Sequence, residues 1–362
     1  MKIAIDAMGG DQAPQEIVAG AIDAAREFNI HVILVGYRER IEFELQKHQT
    51  RDLPIYIQHA SEVITMDDSP SKVMRRKKDS SMKVGIDLVR DGRAQGFVSA
   101  GNSGAAMALA MLSLRKLEHI DRPAIVANFP TIKGYTTILD VGGNVDCKPV
   151  HLAQFAVMGS VYATYILGKT APRVGLLSNG EESSKGNELT RETDALLKNS
   201  SLNYVGYLEG HDIFTGEFDV IVCDGFVGNI VLKTSESLAT VLGQILRQEI
   251  MAGFFSRLGA LLCRRAFKRM KGKTDYAEYG GAPLLGVNGN CFICHGNSCR
   301  RAIKNAIRAS AEFARQRVND HLLQELNKNQ EIQKLLPKKK IWNQIKERII
   351  SKDSEAEGED DD

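Results

Sequence analysis

Six times along this chain of 362 residues an apolar run stops at Gly beside Asn, Ser or Asp, and a helical pattern then begins. The junctions are Gly9-Gly10-Asp11, Gly101-Asn102-Ser103-Gly104, Gly142-Gly143-Asn144, Gly180 to Asn187, Gly225 to Asn229, and Gly296-Asn297-Ser298. Strand runs alternating with helices specify a largely parallel sheet, because parallel neighbours are joined by helical crossovers. The predicted class is α/β, a three-layer α/β/α sandwich around a Rossmann-like sheet. Right-handed crossovers would set the junctions along one edge of that sheet. Glycine there admits positive φ and close backbone approach, while Asn and Ser add neutral donors. One such turn is weak evidence for a site. Six of them predict a polar cleft rich in backbone groups.

The fullest junction runs from Arg173 to Glu192. Val174 to Leu177 is apolar, Ser178 to Gly186 is polar and Gly-rich, and Asn187 to Glu192 has a helix-starting pattern. The first N–H groups of a helix and the positive end of its dipole suit an anion. Lys185 adds a full charge at that place. Alone, the stretch describes an ordinary turn with a solvated lysine; the repetition of the pattern singles it out.

Composition narrows the function classes. Hydrophobic residues make up 43% and charged residues 25%, ordinary for a globular protein with a large core. Basic residues number 47 against 45 acidic ones, a net charge of +2, so bulk binding of nucleic acid does not follow. The opening MKIAIDAMGGD enters a strand pattern directly and lacks the architecture of a leader. No apolar run nears the roughly 18 to 20 residues that span a bilayer. Six cysteines without secretory targeting predict reduced thiols in the cytoplasm. Residues 1–335 read as one catalytic domain. Residues 336–362 read as a basic, then acidic tail, disordered on composition.

Several chemistries fail on spacing. Ala7-Met8-Gly9-Gly10-Asp11 does not fit the Gly-x-Gly-x-x-Gly dinucleotide fingerprint, and no Walker-type loop occurs. Cys291-Phe292-Ile293-Cys294-His295, with Cys299 nearby, has haem- or zinc-like spacing. On a strand, however, Cys291 and Cys294 would point to opposite faces, so no metal is expected. Cys147 and Cys223 lack a His partner in sequence and read as small buried thiols. Acyl or phosphoryl transfer remains. Phosphate bound in the cleft can itself be the nucleophile, leaving the protein to orient it and stabilise an oxyanion. Lys185 suits the phosphate charge; Asn229 and backbone N–H groups suit an oxyanion or a phosphate oxygen.

Longer blocks are more specific. They include IDAMGGDQAP (5–14), RRKKDSSM (75–82), SAGNSGA (99–105), DRPA (121–124), NVDCKP (144–149), KGNELT (185–190), DGFVGN (224–229), YGGAPLLG (279–286) and HGNS (295–298). In these blocks, from residue 1 to about 325, the chain resembles the bacterial phosphate acyltransferase family (PlsX). The resemblance implies a single α/β/α domain of isopropylmalate-dehydrogenase-like fold and a homodimer. It implies acyl-phosphate made from fatty acyl carrier protein and orthophosphate, with no cofactor, since the thioester is already activated. The product would pass to a membrane glycerol-3-phosphate acyltransferase of PlsY type, and the enzyme would be cytoplasmic and peripheral to the inner face of the cell membrane. Lys185 and Asn229 fall on the family's catalytic positions. Gly9, Gly10, Asp11, Gly101, Asn102, Ser103, Gly104, Asn144, Gly186, Asn187, Asp224, Gly228, His295, Gly296 and Ser298 are the phosphate- or substrate-binding candidates, although several equally suit turns or caps. The chain departs from the family at Cys147, where Ala is usual, and over Asn179 to Ser184. A CoA-dependent phosphotransacetylase-like enzyme and a non-catalytic phosphate- or nucleotide-binding module are the alternatives.

One further stretch stands out. Residues 247–273 hold eight Lys or Arg against the single Glu249, within a helical protrusion expected over about 235–275. Ile250, Phe254, Leu258 and Leu261 recur at helical spacing. Gly253 and Gly259 are expected to break the helix and leave Phe254-Phe255 in or near a turn. The apolar face fits a dimer contact. An apolar tip ringed by Arg257, Arg264, Arg265 and Lys268 also fits an anionic membrane surface or an acidic carrier protein. Arg75, Arg76, Lys77 and Lys78 form a second basic group, either a solvated loop or a carrier contact.

Overall fold

The computed structural model describes residues 1–182, 184–274, 278, 280–329 and 332; the tail expected over 336–362 lies outside them. Its strands are β1 (Lys2–Asp6), β2 (His31–Gly36), β3 (Ile55–His59), β4 (Gly96–Ser99), β5 (Ala124–Thr131), β6 (Gly134–Leu139), β7 (Val174–Leu177), β8 (Tyr204–Leu208), β9 (Val220–Val222), β10 (Ala282–Leu285) and β11 (Cys291–Ile293). The helices of the first half are α1 (Gln15–Phe28), α2 (Arg38–Leu45), α3 (Pro70–Arg76), α4 (Ser81–Arg90), α5 (Ser103–Ser113) and α6 (Pro149–Tyr165). Those of the second are α7 (Glu188–Lys198), α8 (Gly225–Ala252), α9 (Phe254–Leu262), α10 (Arg264–Thr274), α11 (Arg300–Arg315) and α12 (Val318–Lys328).

All eleven strands join one sheet, in the order β3-β2-β1-β4-β11-β10-β5-β6-β9-β7-β8. Successive residues of a strand face opposite sides, and β1 shows the consequence. Ile3 and Ile5 pack with Ile22, Val18 and Ile303 on one face, and Ala4 packs with Ile86, Phe97 and Leu109 on the other. A third cluster, including Phe129, Ile138 and Ile221, adds the side chains of Val231 and Leu232 at the base of α8. The three-layer α/β/α class expected from the sequence is therefore present.

The sheet is mixed at its centre, and this overturns the expectation of one shared edge. β3, β2, β1, β4 and β11 are parallel to one another, as are β6, β9, β7 and β8. Between them, β10 is antiparallel to both β11 and β5, and β5 is antiparallel to β6. β6 and its parallel neighbours therefore run against β1 and its own. The physical cause is the β5–β6 hairpin: Thr131 pairs with Gly134, so two loop residues reverse the chain with no crossover to restore its direction. Carboxyl ends of β1, β4 and β11 face one way, and those of β6, β9 and β7 face the other. The six junctions form two sets of three.

Candidate active site

In the set at β6, β9 and β7, the chain ends three neighbouring parallel strands at one edge. Neighbouring strands lie about 4.8 Å apart, so the junctions at Gly142-Gly143-Asn144, Asp224 to Asn229 and Gly180 to Asn187 stand side by side. The stretch 224–229 is not the loop that the sequence suggested. Asp224 is the N-cap of α8, its Oδ1 accepting from Phe226 N and Val227 N at 2.9 Å each, so Gly225, Gly228 and Asn229 belong to the helix itself. Capping by Asp starts the helix at once.

Glycine is required there by contact. A Cβ on Gly228 would lie 1.9 Å from the Asp140 carbonyl oxygen, and one on Gly225 would lie 2.6 Å from the Asn144 carbonyl oxygen. Both are backbone atoms that have no room to move. Gly225 N donates to Asn144 O at 2.7 Å, locking α8 to the turn after β6. At Gly142, whose φ is +137°, an added Cβ would stand 3.5 Å from Asn229 Oδ1. The structure thus brings the Asn229 amide onto the Gly142-Gly143-Asn144 turn.

Under that turn lies Asp140, fully buried. Its carboxylate accepts from Ile125 N at 2.9 Å, Gly143 N at 3.0 Å, Asn144 N at 2.6 Å and Asn144 Nδ2 at 2.9 Å. Burial pushes its pKa above the ordinary carboxylate value, and these donors oppose the rise. Asn144 Nδ2 also donates to Pro123 O at 2.7 Å, so its amide fixes the turn. Nearby, Cys147 Sγ donates to Asn144 O at 3.4 Å. Burial first, then the Asp140 charge, push its thiol up to about 12. Cys147 is a protonated thiol at neutral pH and not a nucleophile.

Lys185 sits in the β7 junction and is exposed. Its stem covers Gly180, where a Cβ would fall 2.6 Å from Lys185 Cγ. The loop is closed by Gly186 N donating to Asn179 Oδ1 at 2.8 Å. Asn187 caps α7, accepting from Thr190 N at 2.9 Å. Among the described residues no hydrogen bond joins Lys185 to Asn229; adjacency of their strands, not contact, places them together.

The other set is internally tied. Asp11 N donates to Gly296 O at 2.8 Å, linking Gly9-Gly10-Asp11 to the His295 to Ser298 turn. Ser298 is buried, its N donating to His295 O at 3.0 Å. Asn102 caps α5 through Ala105 N at 2.9 Å and donates to Met66 O at 2.9 Å and Asp68 O at 3.1 Å. Ser103 and Gly104 form the first turn of α5 behind Gly101. Buried Asp6 accepts from Ser99 Oγ at 2.8 Å and Met8 N at 3.2 Å, and burial pushes its pKa up. The side chains of Asn102, Asn144, Asn187 and Asp224 all hold backbone, the structural role that the sequence left open. One element reaches both sets: α5 starts at Asn102, and its Met107 Sδ lies 3.2 Å from a Cβ built on Gly143.

The basic groups divide. Lys77 turns inward, donating to Val63 O at 2.6 Å and Asp68 Oδ2 at 2.5 Å, which corrects its assignment to a free basic surface. Arg75, Arg76 and Lys78 are exposed. In the protrusion, Phe254 and Phe255 open α9 and do not lie in a turn, and Gly259 continues that helix. Of the two glycines, Gly253 alone interrupts the helix, with φ −125° and ψ 149°. Phe254 and Phe255 are 76% and 84% exposed. Arg257, Arg264, Arg265 and Lys268 are exposed around them or on α10. No described helix is long and apolar enough to cross a membrane. Cys291 and Cys294 are both buried, and no cluster of three metal-ligating side chains occurs among the described residues.

Sequence reasoning missed Asp140, Asp6 and the Asp121–His151 pair, in which His151 Nε2 lies 2.8 Å from Asp121 Oδ2. An Asp closing an apolar run looks like the first loop residue. The only available signal was that Asp6 and Asp140 both occupy that position.

Three comparisons bear on this arrangement. Residues 1–321 match the family described as fatty acid synthesis protein. A phosphate acyltransferase of Geobacter sulfurreducens is 59% identical over 326 residues, 90% of this chain and 94% of the relative. One of Pelobacter propionicus is 59% identical over 329 residues, 91% and 95% of the two chains. Among solved structures, a phosphotransacetylase from Streptococcus pyogenes superposes with a TM-score of 0.58 at 20% identity, over 87% of this chain and 94% of that one. A branched-chain phosphotransacylase from Enterococcus faecalis gives 0.52 at 14% identity, over 86% and 98%. At such identities these structures share the fold alone.

Proposed function

We infer what this chain does from its membership: it belongs to the fatty acid synthesis protein family, and its curated relatives are phosphate acyltransferases. It is an acyltransferase that forms acyl phosphate. The donor in this reading is fatty acyl-[acyl-carrier-protein] and the acceptor orthophosphate. One structural observation supports the site chosen for it. β6, β9 and β7 are neighbours running the same way, so the Asn144 turn, Asn229 and the Lys185 loop leave the sheet together.

The chemistry asks little of the protein. An oxygen of HPO₄²⁻ forms a bond to the thioester carbon, the C–S bond breaks, and the proton leaving phosphate ends on the departing thiol. Lys185 balances the phosphate charge, and Asn229, seated on a turn whose Gly143 and Asn144 N–H groups are held by Asp140, orients the reacting oxygen or stabilises the oxyanion. No nucleophilic side chain is needed, in keeping with the protonated Cys147 thiol. Gly9 to Asp11, Gly101 to Gly104 and His295 to Ser298, joined to this set by α5, take the acyl donor in this reading.

The remaining parts of the reading concern assembly. Residues 1–335 act as one catalytic domain. A second copy of this chain covers the α8 face, on which Leu238, Val241, Leu242 and Ile245 are exposed at helical spacing. The α9 tip, with its ring of cations, meets the inner membrane surface near a PlsY-type acyltransferase, while Arg75, Arg76 and Lys78 face the acidic carrier. A CoA-dependent phosphotransacetylase is the second reading, favoured by the shared fold. Donor choice separates them. Thiol release should require both phosphate and the acyl carrier protein, and equal turnover with short acyl-CoA would contradict the reading.

A further inference from the structure

Beside the proposed site lies a hydrogen-bonded chain that the mechanism has not used. Pro123 O receives the Asn144 amide, so the loop before β5 is bolted to the active turn. Two residues earlier, Asp121 is held on every side. Its N donates to Gln154 Oε1 at 2.9 Å, and its carboxylate accepts from Lys116 Nζ at 3.3 Å and from His151 Nε2 at 2.8 Å. The His151 side chain is 3% exposed, and its Nδ1 accepts from Lys148 N at 3.0 Å. That second bond fixes the tautomer, leaving the proton on Nε2 for Asp121. Gln154 Nε2 completes the brace at His119 O, 2.8 Å away.

Arg122 stands between these two anchors. It is exposed, and no described Asp or Glu comes within ion-pair distance of it. Asp121, its neighbour in sequence, is already taken by His151 and Lys116. β5 begins at Ala124 and pairs antiparallel with β6, Val126 opposite Leu139, so Arg122 enters the sheet at the edge that carries the Asn144 turn. A guanidinium with an unoccupied fork, held at such a turn, matches a phosphate group. An arginine serving only as a solvated surface charge would not need buried braces on both sides.

We propose that Arg122 contacts the phosphate group of a substrate in this reaction, and that Asp121 and His151 are positioning residues that hold it there. The inference rests on the acyl-phosphate-forming reading above. It adds to the Lys185 loop a cation on the opposite flank of the Asn144–Asn229 turn. The phosphate group belongs either to orthophosphate or to the prosthetic arm of the acyl donor.

The test is steady-state kinetics of the full chain, with orthophosphate and acyl donor varied separately. For Arg122→Gln the KM of one substrate should rise on the order of 10- to 100-fold, as for loss of a charged hydrogen bond, with kcat changed less. A rise for phosphate identifies orthophosphate, and a rise for donor identifies the prosthetic arm. Arg122→Lys should restore part of the loss, and it decides the matter if Arg122→Gln proves poorly folded by circular dichroism. His151→Asn should raise the same KM by a smaller factor, and adding Arg122→Gln to it should cost less than the product of the two single effects. Both KM values within twofold of wild type in Arg122→Gln, or strictly multiplicative effects in the double variant, would overturn the proposal. Wild-type enzyme that makes no acyl phosphate would instead overturn the functional reading beneath it.

Discussion

In the proposed mechanism Lys185 and Asn229 have different supports, an exposed loop and the second turn of a helix wedged against Asp140. Removing one preorganised donor typically costs on the order of 10²- to 10³-fold in rate. Lys185→Ala and Asn229→Ala should each lose turnover by that factor while keeping the wild-type circular dichroism spectrum; near-normal turnover would remove that residue from the mechanism. Gly228 tests the wedge itself. A Cβ at this position would fall 1.9 Å from the Asp140 carbonyl oxygen, so Gly228→Ala must push α8 off the turn. Overpacking of this kind costs about 1–3 kcal/mol, which denaturant titration should show as a lower midpoint. An unchanged midpoint would mean that the close fit is relieved elsewhere. Lys185 and the glycines drew attention in the sequence because their residue types announce loops and anions, while Asn229 stood out for the same reason yet lies in a helix. Asp140 and His151 did not, because burial alone makes them structural and burial is a property of the fold.

At the scale of elements, a strand–glycine–helix junction is readable from local pattern, and each one expected is present. What local pattern misjudged was where helices begin and continue. Asp224 caps so early that Gly225 to Asn229 is helix, and Gly259 stays helical because one internal glycine costs only about 1 kcal/mol. The outcome is an α9 whose first turn presents Phe254 and Phe255 to solvent beside Arg257. Two exposed phenylalanines near cations are the composition of an interfacial contact, and each nearby basic residue adds about 1 kcal/mol at an anionic surface. Flotation with anionic vesicles should therefore recover the protein in a salt-sensitive manner. Phe254→Ser/Phe255→Ser should reduce recovery sharply, and unchanged binding would return the segment to a role in assembly alone.

Across the whole molecule, the α/β/α layering followed from alternating strands and helices, but the direction of the sheet did not. A two-residue hairpin between β5 and β6 and the antiparallel β10 reverse half of it, and neither leaves a signal in hydrophobic period. The reversal sends the junctions to opposite ends of the sheet in two sets of three, and α5, which starts in one set, reaches the Gly143 turn of the other through Met107. The central claim is that orthophosphate itself attacks the thioester. It is tested most directly by supplying phosphate labelled with ¹⁸O at all four oxygens, together with the acyl carrier donor, and weighing the acyl phosphate by mass spectrometry. Direct attack predicts a product that retains all four labels, with one free thiol released per product. A product carrying three labels or fewer, or free fatty acid formed at the same rate without phosphate, would contradict it.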